Sequence, residues 1–430
     1  MIVVAAALGW PSDQASAAPP GADGPPVGPS AVERMDVDAA VAEALRLNLQ
    51  LLAQMHEVPL ARAEVITARL RLNPTLSLGA DHLDLLGTHY DNVNHAGPQE
   101  FFARTDVMIR GGRKRQRRIE VAETGVAVAE QQLRDAARRL IRDVQCACVD
   151  VQYAAAAVQL AGTNRELYAR VIALNELRVG TGDLARVDLT RAQIAELQAR
   201  NELRQAQGAQ QVAANNLALL LGRTRVAAAI FVTGEMRADA GAYALTDIRA
   251  QALRQRPDLQ AARTELRFTE SDIRRQIAEG KVDLSLGVEA RRQQGLAGTG
   301  NSLGFFFVVP LRLFDRNQGQ IERARQLAAQ SEQRARAVEQ SIRIEVENVH
   351  VDYEVARDLL RSFEGGMLAK AEQVLATAEY AYERGEAGLI ELIDAQRAFN
   401  DTRRTYNEAR AAYAKALYVI DAVTARETPQ

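Results

Sequence analysis

Acidic and histidine side chains carry most of the chemical potential of this chain, and their spacing decides what they could do. Glu391 and Asp394 stand three apart just after a glycine-marked bend, so a helix would set both carboxylates on one face. His82, His89 and His95, with Asp81, Asp84 and Asp91 among them, offer the imidazole and carboxylate ligands that suit Zn2+, Co2+ or Ni2+. They are weak metal candidates, because their spacing matches no closed motif and a polar loop accounts for the same residues. His56 and His350 are isolated. Cys146 and Cys148, the only cysteines, lie two apart in a helical run and point to different faces, so they read as packing residues. No Ser/His/Asp or Cys/His arrangement has workable spacing, and no phosphate-cradling loop is present. The chain does not read as an enzyme, and no cofactor is expected.

These side chains are placed by a sequence that repeats itself. Leu76-Ser77-Leu78-Gly79 returns 208 positions later as Leu284-Ser285-Leu286-Gly287. Gly182-Asp183 with Val187-Asp188-Leu189 returns 203 positions later as Gly385-Glu386 with Ile390-Glu391-Leu392. A period of about 200 residues is too long for a solenoid and predicts two equivalent halves side by side.

In each half a helical segment leads into residues that alternate with a period of two. Val37 to Leu72 reads as one helix stopped by Asn73-Pro74. Leu76, Leu78 and Ala80 then oppose Ser77, Gly79 and Asp81; on the return strand Phe101, Ala103, Thr105, Val107 and Ile109 oppose Arg104 and Asp106. The second hairpin sets Val282, Leu284, Leu286, Val288 and Ala290 on one face, and its partner does the same with Leu303, Phe305, Phe307, Val309, Leu311 and Leu313. Four strands of about ten residues with continuous apolar faces match outer-membrane barrel strands. A soluble sheet packed on helices would alternate likewise, but nothing nearby is left to cover these faces. Four strands cannot close, and an open edge in lipid leaves backbone groups unpaired at several kcal/mol each. Self-association must supply the rest, and three copies give twelve strands.

After each hairpin the apolar spacing changes to mixed three- and four-residue steps. Residues 113–179 and 318–383 are expected to be single long helices, the first about 100 Å at 1.5 Å per residue. Bends at Gly180/Gly182 and Gly385/Gly388 turn each into a helix of about 40 residues, which predicts antiparallel coiled coils with Gly182 and Gly385 at their tips. Residues 223–246 break the coil and link the halves, with a short strand at Ala227 to Val232.

A net charge of −2 gives no nucleic-acid signature. No run reaches the roughly 18 apolar residues of a membrane-spanning helix. Ile2 to Leu8 followed by Ala15-Ser16-Ala17 reads as an export signal, with a disordered Ala/Pro tail as the alternative. A basic segment before the apolar run is missing, which places the true start upstream. The expected organisation is a signal peptide at 1–17, a disordered lead-in at 18–35 and a first repeat at 36–222. A linker follows at 223–246, then a second repeat at 247–424 and a tail at 425–430. The hairpins fall at about 75–110 and about 282–313, and the coils at 113–222 and 316–424.

Several of these stretches resemble the TolC-like outer-membrane channel-tunnels, and especially their heavy-metal efflux branch of cobalt–zinc–cadmium type. Val309-Pro310-Leu311 followed by Phe314-Asp315-Arg316-Asn317-Gln318-Gly319 is similar to that branch's strand-to-helix junction. Gly111-Gly112-Arg113-Lys114-Arg115 resembles its first-half counterpart, with Arg113 inserted or substituted. Arg254-Gln255-Arg256-Pro257-Asp258-Leu259 matches a family helix motif whose first-half equivalent, Leu47-Asn48-Leu49, lacks the proline. The resemblance spans roughly residues 36–424. It implies a mainly α protein with a small β part. Duplicated coiled-coil hairpins would form an α-barrel in the periplasm, and four strands per chain would join a trimeric 12-stranded β-barrel in outer-membrane lipid.

It further implies a passive duct served by a periplasmic adaptor and an inner-membrane pump of the resistance-nodulation-division (RND) type, with divalent heavy-metal cations as cargo. Glu391 and Asp394 would line the periplasmic entrance and favour cations. Asp188 and Tyr382 correspond to a pair that holds the entrance shut. The family's latch arginine is replaced by Ala387, leaving Arg384 and Arg186 as candidates. The same fold exporting drugs or other organic solutes, and a soluble periplasmic coiled-coil scaffold, are the competing readings.

Overall fold

The computed structural model describes residues 33–83, 87, 99–223, 230–239, 241–295 and 298–426. The signal-peptide reading and His89 and His95 therefore lie outside the described residues. The lead-in is shorter than expected. Its last residues form strand β1 (Glu33–Met35), which pairs in parallel with β4 (Ile230–Val232) inside the linker.

The expected helix from Val37 to Leu72 is three helices: α1 (Val37–Leu47), α2 (Leu49–Met55) and α3 (Glu57–Arg69). The first break is at Asn48, which is extended at φ −64°, ψ 117°. Its Oδ1 accepts the Leu51 N–H at 3.0 Å, and its Nδ2 donates to the Leu220 carbonyl at 2.9 Å. In the second half Arg256 takes the same conformation, φ −60° and ψ 125°, between α6 (Leu245–Gln255) and α7 (Pro257–Glu279). There Pro257 at the first helical position forces the preceding residue out of the helix. Asn48 achieves the same break by side-chain capping, so the missing proline leaves the architecture unchanged.

Four strands form one antiparallel sheet in the order β2 (Thr75–Asp81), β3 (Glu100–Ile109), β5 (Leu284–Gly295), β6 (Gly298–Val308). The ladder of β6 stops at Val308, before the alternation ends at Leu313, because Pro310 has no N–H to give it. Strands β3 and β6 run into α4 (Lys114–Thr181) and α8 (Gln318–Ser362) through a residue in the left-handed region: Arg113 at φ 59° and Asn317 at φ 66°. Arg113 and Asn317 thus hold equivalent positions in the two halves. Beside it, a Cβ on Gly111 would stand 2.1 Å from the Val282 carbonyl oxygen, so only glycine fits that crossing. Lys114, 1% exposed, ties the first junction to the turn between α7 and β5 through Asp283 at 2.7 Å.

Helix α4 is 68 residues and unbroken, about 100 Å long. The second long helix is not continuous. It is α8, a π-turn at Phe363–Met367, then α9 (Leu368–Arg384). The return helices are α5 (Arg186–Leu220) and α10 (Leu389–Thr424). Two matching cores lie midway along the long helices, where the return helices end. Ala44 and Leu51 pack with Val144, Cys148 and Leu217 in the first; Ala252 and Leu259, 208 positions on, pack with Val346, Tyr353 and Ile420 in the second. Burial pushes the Cys146 and Cys148 thiols up to about 11 and about 12, so both are inert packing groups.

Candidate functional site

The coil tips are built by helix-stop chemistry. Gly182 at φ 86° and Gly385 at φ 78° each end a long helix in the left-handed conformation that costs glycine nothing. Asp183 N–H closes onto the Arg178 carbonyl at 2.8 Å, and Glu386 N–H onto that of Ala381 at 2.9 Å. The tips of the two halves are packed against each other by Leu167, Val171, Ala192, Tyr382, Leu389 and Leu392.

Tyr382 is 3% exposed, and its hydroxyl donates to Oδ1 of the fully buried Asn175. Burial raises its pKa, while the Asn175 contact and the Arg178 charge oppose the rise. Arg178, in the last turn of α4, reaches across to α9. Its Nη2 donates to the Tyr382 carbonyl at 3.1 Å and the Glu383 carbonyl at 2.9 Å, with the guanidinium 5.4 Å from the Tyr382 ring centre. A cation is favoured there twice, at the C-terminus of its own helix and at that of α9.

Within one chain Asp188 and Tyr382 find different partners. Asp188 is bonded to Arg191 at 3.0 Å and not to Tyr382. Arg384 lies over the Tyr380 ring at 4.4 Å, and Arg186 opens α5. The cross-coil arginine is Arg178, which sequence reasoning missed together with Asn175. One signal was present: Arg178 stands four residues before Gly182, and its counterpart 203 positions on is Ala381.

Glu391 and Asp394, on the first turns of α10, are exposed and carry no ion pair among the described residues. Asp188 and Arg191, at the equivalent positions 203 earlier, neutralise each other, so of these two matched pairs only that of the second half leaves acidic charge. A cleft of 360 Å³ lies beside Tyr382, lined by Arg170, Glu379, Glu383 and leucines of α4 and α10. Burial raises the pKa of Glu379, with Arg170 opposing and Glu383 adding to the rise. Further from the tip a groove of 640 Å³ runs between α4, α5 and α10, with Tyr153, Tyr168, Asn164 and Asp401 in its walls.

At the opposite end the sheet has two unlike faces. Leu78, Phe305 and Phe307 are 72%, 77% and 68% exposed on the apolar one. The other carries ion pairs: Arg104 with Asp106 at 2.8 Å, and Arg291 with Glu100 at 2.7 Å and Glu289 at 2.9 Å. Phe306 and Phe102 lie flat beneath the two guanidiniums, at 4.1 and 5.6 Å. His82 sits at the end of β2 in the left-handed region at φ 54°. Among the described residues no cluster of three metal-ligating side chains occurs, and no helix is long and apolar enough to cross a membrane.

Three comparisons bear on this arrangement. The family described as Outer membrane efflux protein matches residues 40–223 and 248–426. The chain is 24% identical over 393 residues to the cobalt-zinc-cadmium resistance protein CzcC of Cupriavidus metallidurans, covering 91% of this chain and 90% of that one. Its fold is similar to crystal structures of CusC (TM-score 0.73, 20% identity, 90% of this chain and 92% of that chain). It is likewise similar to the outer membrane protein VceC of Vibrio cholerae (TM-score 0.70, 17% identity, 90% of this chain and 96% of that chain).

Proposed function

This chain belongs to the outer membrane efflux protein family, and on that premise we propose that it is the exit duct of a heavy-metal efflux assembly. It is an outer-membrane channel protein reaching into the periplasm, without catalytic chemistry of its own. The proposal adds three things: a homotrimer, divalent cations as cargo, and service to a periplasmic adaptor and an RND-type inner-membrane pump.

The sheet supports the trimer. Strands β2 and β6 are its edges, and with four antiparallel strands the β6 of one copy is antiparallel to the β2 of the next. Three copies therefore close without a parallel step, lipid meets the apolar face, and no backbone edge is left in hydrocarbon. That exposed apolar face also weighs against a soluble scaffold.

The cargo reading is carried by one observation, the unneutralised carboxylates Glu391 and Asp394 at the entrance. Threefold repetition sets six of them about one axis, a field that concentrates cations. The likeness to CzcC over nearly the whole chain supports the same reading. Deleting the gene and measuring tolerance to zinc, cobalt, cadmium and nickel against tolerance to detergents and dyes tests it. Metal sensitivity alone is expected. Unchanged metal tolerance with new sensitivity to detergents and dyes would move the cargo to organic solutes.

A further inference from the structure

We propose that Gly365–Gly366 is the pivot of the entrance: this turn sets the rotation of α9 that presents Tyr382 to Asn175, and the entrance opens when the turn anneals into α-helix. The inference rests on the reading of the coil tips as a gated entrance.

The turn is an anomaly that the first half of the chain lacks. Phe363–Met367 is wound as a π-turn, with the Leu368 N–H bonded five residues back to the Phe363 carbonyl. Gly366 stands at φ 118°, ψ −3°, outside the helical region. Gly162, 203 positions before Gly365, lies inside unbroken α4. The glycines are not there for space, since a Cβ on either would meet nothing within 4 Å. Conformation is what remains, and only at Gly366 does the backbone demand it.

The two sides of the turn are held differently. On the sheet side Phe363 is 5% exposed and sets its ring edge-on against Tyr406 of α10 at 6.0 Å. Beyond the turn α9 is one 17-residue helix carrying Tyr382 near its end. Each residue of an α-helix turns the chain by about 100° and advances it by about 1.5 Å. Annealing this kink into continuous α-helix keeps every residue but rewinds the turn, so all of α9 rotates and Tyr382 is carried off Asn175. One local change in winding becomes a release at the tip, about 25 Å away along the helix. Helix kinks concentrate at glycine pairs and π-turns, and here both coincide.

The test records the open fraction of the purified protein in planar bilayers for the wild type, Gly365→Ala, Gly366→Ala and Tyr382→Phe. Alanine is tolerated at 365 but disfavoured at φ 118°, so Gly366→Ala drives the turn toward α-helix and is expected to raise the open fraction about tenfold. Gly365→Ala is expected to behave as wild type. Joined to Tyr382→Phe, Gly366→Ala is expected to add little, because both release one contact. Equal behaviour of the two alanine variants would overturn the proposal. A wild-type protein that conducts while Tyr382→Phe changes nothing would instead overturn the gated-tip reading. Should Gly366→Ala not assemble, hydrogen exchange on the wild type decides: amides of 363–368 are expected to exchange faster than those of 160–165 in α4, and equal protection refutes the pivot.

Discussion

Replacing Arg178 with alanine removes the clamp that ties the C-terminal end of α9 to α4. The guanidinium gives two hydrogen bonds from one nitrogen, at 3.1 and 2.9 Å, to the Tyr382 and Glu383 carbonyls. Hydrogen bonds from a charged donor contribute about 1.5–3 kcal/mol net. Arg178 is only half-buried and both bonds share Nη2, so water and geometry hold the pair at the low end, about 1.5 kcal/mol. That is close to a tenfold shift between shut and open at each tip, since about 1.4 kcal/mol is a factor of ten. Single-channel recording of Arg178→Ala should show the open fraction rising by that factor. Arg178→Gln, which keeps a donor and loses the charge, should fall between it and wild type. An open fraction within twofold of wild type for Arg178→Ala would refute the cross-coil clamp, provided that the trimer assembles normally.

Further outcomes follow from the same structure. Lys114→Met strips the partner from Asp283 at the strand–helix junction. Breaking a buried pair costs about 3–5 kcal/mol; with Asp283 partly open to solvent, about 2–3 kcal/mol is expected, read as a lowered melting point of the heat-modifiable trimer on gels. Burial lifts the pKa of Glu379 above its ordinary 4.5, so the packed tip binds its proton more readily than the released one. The shut state therefore gains as pH falls through that raised value, and the gain is complete below 4.5. Channel closure on acidification should be blunted in Glu379→Gln, which behaves at neutral pH as the acidified protein does. Cys146 and Cys148, with thiols raised to about 11 and about 12, should resist iodoacetamide at pH 8 in the native assembly and react after denaturation.

The elements that were legible in the sequence are those with a local period. The two hairpins, the long coils and the tip glycines follow from alternation, heptad-like spacing and helix-stop signals. What was not legible depends on contacts between distant segments. Asn48 breaks a helix that periodicity makes continuous, because its amide finds the Leu220 carbonyl 172 residues away. Likewise Tyr382 meets Asn175 and Arg178 only after the halves pack, so these contacts could not be located from Asp188, Arg186 or Arg384 alone. The Gly365–Gly366 pair was visible but lay in an otherwise regular apolar seam. Only the backbone at φ 118° separates it from a tolerated helical glycine such as Gly162.

The proposed duct selects cations at its entrance by the carboxylates of the second half. The zero-current potential of the purified protein, in a planar bilayer under a salt gradient, tests it most directly. Clear cation selectivity is expected for the wild type, with a potential that moves toward zero in Glu391→Gln with Asp394→Asn while conductance persists. A potential unchanged by the double substitution, or anion selectivity in the wild type, would contradict it.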